Sequence, residues 1–109
     1  MVRLILLIFW ASTAFAEEPC DELGSLEADP YAVTDPVSFQ EIKGKELVAA
    51  CSTAIAKQDE HLPRYLLQRG RGYLSEGEGV TALADIIQAH QLGYPAATFG
   101  LGTAYYLGD

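Results

Sequence analysis

From Glu46 onward, apolar side chains recur at helical spacing. Leu47, Ala50, Cys51, Ala54 and Ile55 fall three and four residues apart, the stripe of a half-buried helix that ends near Gln58-Asp59. A second helix takes Pro63 into its first turn, where a missing N–H costs little, and carries Leu66, Leu67, Gly70, Tyr73 and Leu74 on one side. Ser75-Glu76-Gly77-Glu78-Gly79 breaks it. A third helix bears Val80, Leu83, Ala84 and Ile87 and stops at Gly93. Pro95 opens a fourth, with Phe99, Leu101, Gly102 and Tyr105 inside and Gly108 closing it. Residues 17–44 lack any such period. Pro19, Gly24, Pro30, Pro36 and Gly44 punctuate them, and Asp29-Pro30 and Asp35-Pro36 are turn formers. This stretch predicts an irregular arm, packed at points by Leu23, Val37, Phe39 and Ile42, with a capping-box pattern at Ser38-Phe39-Gln40-Glu41.

The four helices read as two copies of one pair. A shift of 32 residues lays Pro63 on Pro95, Leu67 on Phe99, Gly70 on Gly102 and Tyr73 on Tyr105. A shift of 33 lays Leu47 on Val80, Cys51 on Ala84, Ala54 on Ile87 and Ala56 on Ala89. Helix-turn-helix units repeating at this length are the signature of an α-solenoid. In that reading Gly70 and Gly102 let helices approach closely, while Ala54, Ala84 and Ala89 leave room for larger side chains opposite.

The N-terminal residues stand apart from this fold. Arg3, an apolar run from Leu4 and then Ala14-Phe15-Ala16 make a leader with a signal-peptidase site, which assigns residues 1–16 to a signal peptide. The apolar stretch from Leu4 to Ala16 is too short for the ~20 residues of a membrane-spanning helix. What remains after cleavage is one small domain with no membrane span, periplasmic or secreted. Fifteen acidic side chains face seven basic ones, a net charge of −8 before Arg3 is lost with the leader. Such a chain is repelled by nucleic-acid phosphates, so nucleic acid is not expected as a partner. Exactly two cysteines remain, Cys20 and Cys51, and an even count in an exported chain reads as a disulfide. Two free thiols or a shared metal are the other options. Together with His61 and His90 the cysteines make no close-spaced ligand pair, so no metal is expected.

Leu101-Gly102-x-x-Tyr105-x-x-Gly108 resembles the Leu-Gly-x-x-Tyr-x-x-Gly core of the Sel-one-like repeat, a relative of the tetratricopeptide repeat. Ala89-x-x-x-Gly93 and Ala97 are similar to that family's alanine-rich helix junction. Arg69-Gly70-x-x-Tyr73 is similar to the preceding copy, with Arg69 in place of the leucine and the Gly77-x-Gly79 pair one residue late. Ala50-Cys51 is also similar to the Ala-Cys helix that precedes such repeats in exported bacterial proteins. The resemblance covers roughly residues 46–109 and leaves the arm unexplained. It implies an all-α, tetratricopeptide-like solenoid of two helix pairs that acts as a non-enzymatic scaffold for a protein or peptide. The domain organisation expected is therefore a leader over 1–16, an irregular arm over 17–44 and repeats over 45–109.

No nucleophile–base pattern accompanies these features, so no catalytic residue and no cofactor are expected. His61 reads as a turn residue before Pro63 and His90 as a helix-face residue. Gly70-Arg71-Gly72 lies within a helix and Gly77-Glu78-Gly79 within an acidic turn, and neither resembles a phosphate loop. Tyr73, Phe99 and Tyr105 follow helical spacing and read as core. Arg64, Gln68 and Arg71, with Ser75, share one stripe of the second helix, apart from its apolar face. Arginine forks suit carboxylates, which makes Arg64, Gln68 and Arg71 candidate partner-binding residues for an acidic peptide or an anionic glycan, against the plainer reading of a solvated face. Tyr105, Tyr106 and Leu107 end the last helix without the polar cap that closes a solenoid, which predicts a longer repeat protein or self-association through that helix. The rival readings are an accessory segment of an enzyme continuing past residue 109 and a small secreted effector.

Overall fold

The computed structural model describes residues 18–107 of the chain. The leader expected at residues 1–16 and Gly108 of the repeat motif lie outside them. Five α-helices follow one another, α1 (Pro19–Gly24), α2 (Gly44–Ala56), α3 (Leu62–Ser75), α4 (Gly79–Gln91) and α5 (Ala97–Leu107), with a 3-10 turn at Phe39–Glu41 before α2. No strand occurs among the described residues. The expectation of an all-α fold holds over the described residues.

Local chemistry accounts for the helix ends. In α1, Pro19 opens the first turn, the Glu18 carboxylate accepts from the Cys20 N–H at 3.1 Å, and Asp21 and Glu22 lie at the positive end of the helix dipole. This short helix was not expected, because its proline and glycine read as punctuation. The Ser38–Glu41 pair does not form a reciprocal capping box. The Ser38 hydroxyl donates to Glu41 Oε1 at 3.0 Å, and only three residues of 3-10 helix follow. Helices α3 and α4 end alike. Gly77 (φ 77°) donates to the Leu74 carbonyl and Glu78 to that of Tyr73; Gly93 (φ 86°) donates to His90 and Tyr94 to Ala89. Each is a Schellman cap, and glycine sits where φ must be positive.

Helix α3 is the centre. One core cluster gathers Leu66, Leu67 and Leu74 with Ala82, Ile86 and Ala89 of α4 and Ala97 and Ala104 of α5. The other joins Tyr65 to Leu47, Cys51 and Ala54 of α2 and to Cys20 of α1. Of the faces expected for α2 and α3, all but Ala50, which is half-buried, and Gly70, which is buried, belong to or pack against these clusters. That expected for α4 differs: Val80 and Ala84 are exposed, and Ala82, Asp85, Ile86 and Ala89 turn inward instead. Asp85 is drawn onto Arg69 of α3, and Gly70 lets Ile86 approach so closely that a Cβ there would lie 2.6 Å from its Cγ1, which turns the Ala82–Ile86 side of α4 inward.

The equivalent close approach on α5 is made by Gly100, not Gly102. A Cβ on Gly100 would sit 2.7 Å from Leu67 Cδ1, whereas one on Gly102 would meet nothing within 4 Å. The two glycines that the 32-residue shift superposes are therefore opposite in kind. Gly70→Ala is expected to destabilise by about 1–3 kcal/mol through overpacking. Gly102→Ala is expected to stabilise by about 0.5–1 kcal/mol, the helix-propensity gain at an open position. Urea unfolding of the two variants with the disulfide intact checks this, and equal losses would mean that Gly102 is packed like Gly70.

Candidate functional site

The stripe of Arg64, Gln68 and Arg71 is not a solvated face. These side chains are 8%, 0% and 6% exposed, because the N-terminal arm lies over them. Arg64 donates from Nε to Asp21 Oδ1 at 2.9 Å and from Nη2 to Asp21 Oδ2 at 3.0 Å, a two-pronged ion pair in which both partners are buried. Burial works against the Arg64 charge, and the hydrogen bond and charge of Asp21 outweigh it, so its pKa rises. Gln68 Nε2 donates to the same carboxylate at 3.0 Å and to Cys20 Sγ at 3.2 Å, leaving its Oε1 buried without an acceptor's partner. The expectation that the stripe grips a separate acidic partner is corrected for Arg64 and Gln68: the acid they hold is Asp21.

Cys20 and Cys51 form the expected disulfide, with Cα atoms 4.6 Å apart, and fasten α1 to α2. Glu18 at the start of α1 pairs with Lys57 at the end of α2 at 2.6 Å. Farther along the arm, Asp29 accepts from the Tyr31 N–H at 2.8 Å and from the Tyr94 hydroxyl at 2.6 Å. Burial, then the Asp29 bond, pushes the Tyr94 phenol up. Arg69, the residue that departs from the repeat pattern, donates to both oxygens of Asp85 at 2.8 and 2.9 Å and to Ser52 Oγ at 3.1 Å. It thereby ties α2, α3 and α4 together.

Arg71 differs from its two neighbours. Its Nη1 donates to the Gly24 and Ser25 carbonyls at 2.8 and 2.9 Å, and its Nη2 to that of Val37 at 2.8 Å. These bonds gather both ends of the arm, but none is to a carboxylate. Burial lowers its pKa to about 10, the mark of a cation held without a counter-charge.

Arg71 also lines a groove of about 960 Å³ between the arm and α5. Leu26, Val37 and Phe39 form the arm wall, Leu67, Leu74 and Ile86 the floor, and Phe99, Gly102 and Tyr106 the α5 wall. Phe99 and Tyr105 were expected in the core; instead both are exposed, and Tyr106 is 86% exposed. No element of the described chain covers α5 on that side, so the aromatic side chains border open space. Of the remaining repeat-motif residues, Tyr73 and Leu101 are half-buried, Ala89 is buried, Ala84 is exposed and Gly93 caps α4. Among the described residues no three His, Cys, Asp or Glu side chains come together as a metal site.

Asp21 and Asp85 were not singled out in the sequence, Asp29 was read only as a turn former, and Arg69 only as a departure from the repeat pattern. The i, i+4, i+7 spacing of positions 64, 68 and 71 puts them on one face, but polar residues so spaced read equally as a solvated face, so the spacing did not reveal the arm above them.

Asp21→Ala leaves Arg64 buried and unpaired, and is expected to destabilise by about 3–5 kcal/mol. Asp21→Leu combined with Arg64→Met should recover most of that loss in the same urea measurement. Tyr94 makes a pH prediction. Because its native pKa lies above the ordinary phenol value of 10.0, its contribution is complete below that pH and is lost as pH rises above it. Tyr94→Phe should be about 1 kcal/mol less stable at neutral pH. Its deficit should shrink as urea midpoints are followed into the alkaline range.

Compared with known proteins, the chain has no matching family model, and no curated protein or solved structure matches it either.

Proposed function

We propose that this chain is an exported, non-enzymatic helical-repeat module of the Sel-one-like kind, which binds a protein partner in the groove between the arm and α5. The observation that carries this reading is the groove itself. Apolar side chains line its floor and both walls, and the aromatic residues of α5 beside it are exposed. Contiguous apolar surface of this sort on a small acidic domain is costly in water and favours a covering partner. The paired order of α2 with α3 and of α4 with α5, and the Leu101-Gly102-x-x-Tyr105 pattern, favour a repeat architecture, whose usual work is recognition. The disulfide favours an oxidising compartment, hence the periplasm or beyond.

A second reading, self-association through α5, has one observation in its favour. Its sequence from Ala97 to Leu107 contains no charged residue, although Phe99, Tyr105 and Tyr106 are exposed.

Benzoylphenylalanine placed at Phe99, with His90 as the control position, separates the readings by photo-crosslinking in exporting cells. The expected result is one discrete heteromeric adduct from position 99, diminished by Tyr106→Asp, and none from position 90. An adduct of twice the chain mass selects self-association. No adduct from position 99, or the same adducts from both positions, overturns the groove reading.

A further inference from the structure

The three arginines of α3 face the same difficulty, a guanidinium charge largely removed from water, and two of them solve it in the same way. Arg64 presents Nε and Nη2 to Asp21, and Arg69 presents Nε and Nη2 to Asp85. Arg71 makes as many hydrogen bonds as each of the other two, but none of them is to a carboxylate. A guanidinium has five N–H donors, and Arg71 spends its Nη1 hydrogens and one Nη2 hydrogen on backbone carbonyls. Its Nε–H and second Nη2–H have no acceptor among the described residues, and it has no carboxylate partner there. It is also the only one of the three that lines the apolar groove.

Resting on the groove reading above, we infer that the groove receives the C-terminal residue of a partner chain, whose free carboxylate meets Arg71 and whose apolar side chain enters the space beside it. The charge pattern selects this occupant. Leu67, Leu74, Val37 and Phe39 line the groove together with Arg71, so an anion carried beside an apolar side chain fits it. A C-terminal leucine, valine or phenylalanine bears both groups on one Cα. Glu27 and Glu41 also line the groove and are exposed, so a segment with further acidic side chains is repelled and a lysine or arginine upstream of the terminus is favoured. Bidentate pairing with a carboxylate is the strong mode for an arginine and is worth most where water is excluded.

The test uses the intact, oxidised chain and needs no change to Arg71, whose loss would also release the arm. Two libraries of N-acetylated tetrapeptides are compared, each with lysine first and leucine, valine or phenylalanine last, one as free acids and one as C-terminal amides. Their binding is followed by 15N-correlated NMR of the Arg71 Nε–H and of the Phe99 and Gly102 amides. The free acids are expected to move all three signals, with the amides about tenfold or more weaker, as for loss of a charge-assisted hydrogen bond. Phe99→Ser, at an exposed position, should weaken the acids while leaving the spectrum folded. If acids and amides shift Phe99 and Gly102 equally and the Arg71 signal stays still, the carboxylate inference fails and the groove reading survives. If neither library moves any groove signal at millimolar concentration, the inference fails, and the crosslink from position 99 then decides the groove reading separately.

Discussion

Asp21 and Arg64 meet through two hydrogen bonds of 2.9 and 3.0 Å at a place where both side chains are nearly removed from water, with Gln68 donating to the same carboxylate. The position of the N-terminal arm follows from that contact. Helix α3 carries Arg64, Gln68 and Arg71 on a face that α2, α4 and α5 leave to the arm. An arginine buried there without an acceptor would cost several kcal/mol, a large share of a small domain's stability. The arm supplies the acceptors in order: the Asp21 carboxylate for Arg64 and Gln68, then the Gly24, Ser25 and Val37 carbonyls for Arg71. Buried ion pairs of this kind contribute little net stability over an apolar core. What they contribute is position, since the arm has to bring Asp21 onto Arg64 and Gln68 and its carbonyls onto Arg71.

The disulfide and the ion pair act on the same element from opposite sides. Cys20 precedes Asp21, so α1 is bound to α2 through sulfur and to α3 through its carboxylate within a single turn. On the chain-entropy account, closing a loop of this length contributes about 3–4 kcal/mol by restricting the unfolded chain. Beyond α1, Tyr94 holds the arm through Asp29, and Arg71 holds it at the Gly24, Ser25 and Val37 carbonyls.

How much of this was legible in the sequence depends on whether a residue's role is decided by its own neighbours or by a distant partner. The inward faces of α2 and α3 were legible because large apolar residues keep a strict helical period there. The Cys20–Cys51 link was legible because the count allowed one intramolecular pair. Helix α1 was hidden by its length: six residues beginning in proline and ending in glycine carry no period. The face of α4 was misplaced because Asp85, a charged residue, turns inward to a partner sixteen positions away, and the valine that looked like core is left in water. Gly102 was misjudged for the opposite reason. Its motif context implies a packed neighbour, and a motif records the neighbours of a family rather than those within one chain. The arginine stripe was located correctly and offered the wrong acid, since periodicity places residues on one face and does not report whether that face is covered or by what.

Arg71 joins the two halves of this account. Its bonds to Gly24, Ser25 and Val37 hold the arm wall of the groove in place, and the same guanidinium stands at the groove's lining. An anion that engages its remaining donors therefore also strengthens the cation's hold on its site, because neutralising a buried charge lowers the cost of keeping it there. By linkage, a ligand that binds the ordered arm stabilises that order to the extent of its own affinity. The acidic surface of the chain keeps the balance from being met by its own side chains: Glu27 and Glu41 line the groove but remain exposed in water. On the proposed reading, the uncharged aromatic wall of α5 contributes affinity without choosing among partners. Choice among them then falls to Arg71, a buried cation with no carboxylate partner among the described residues.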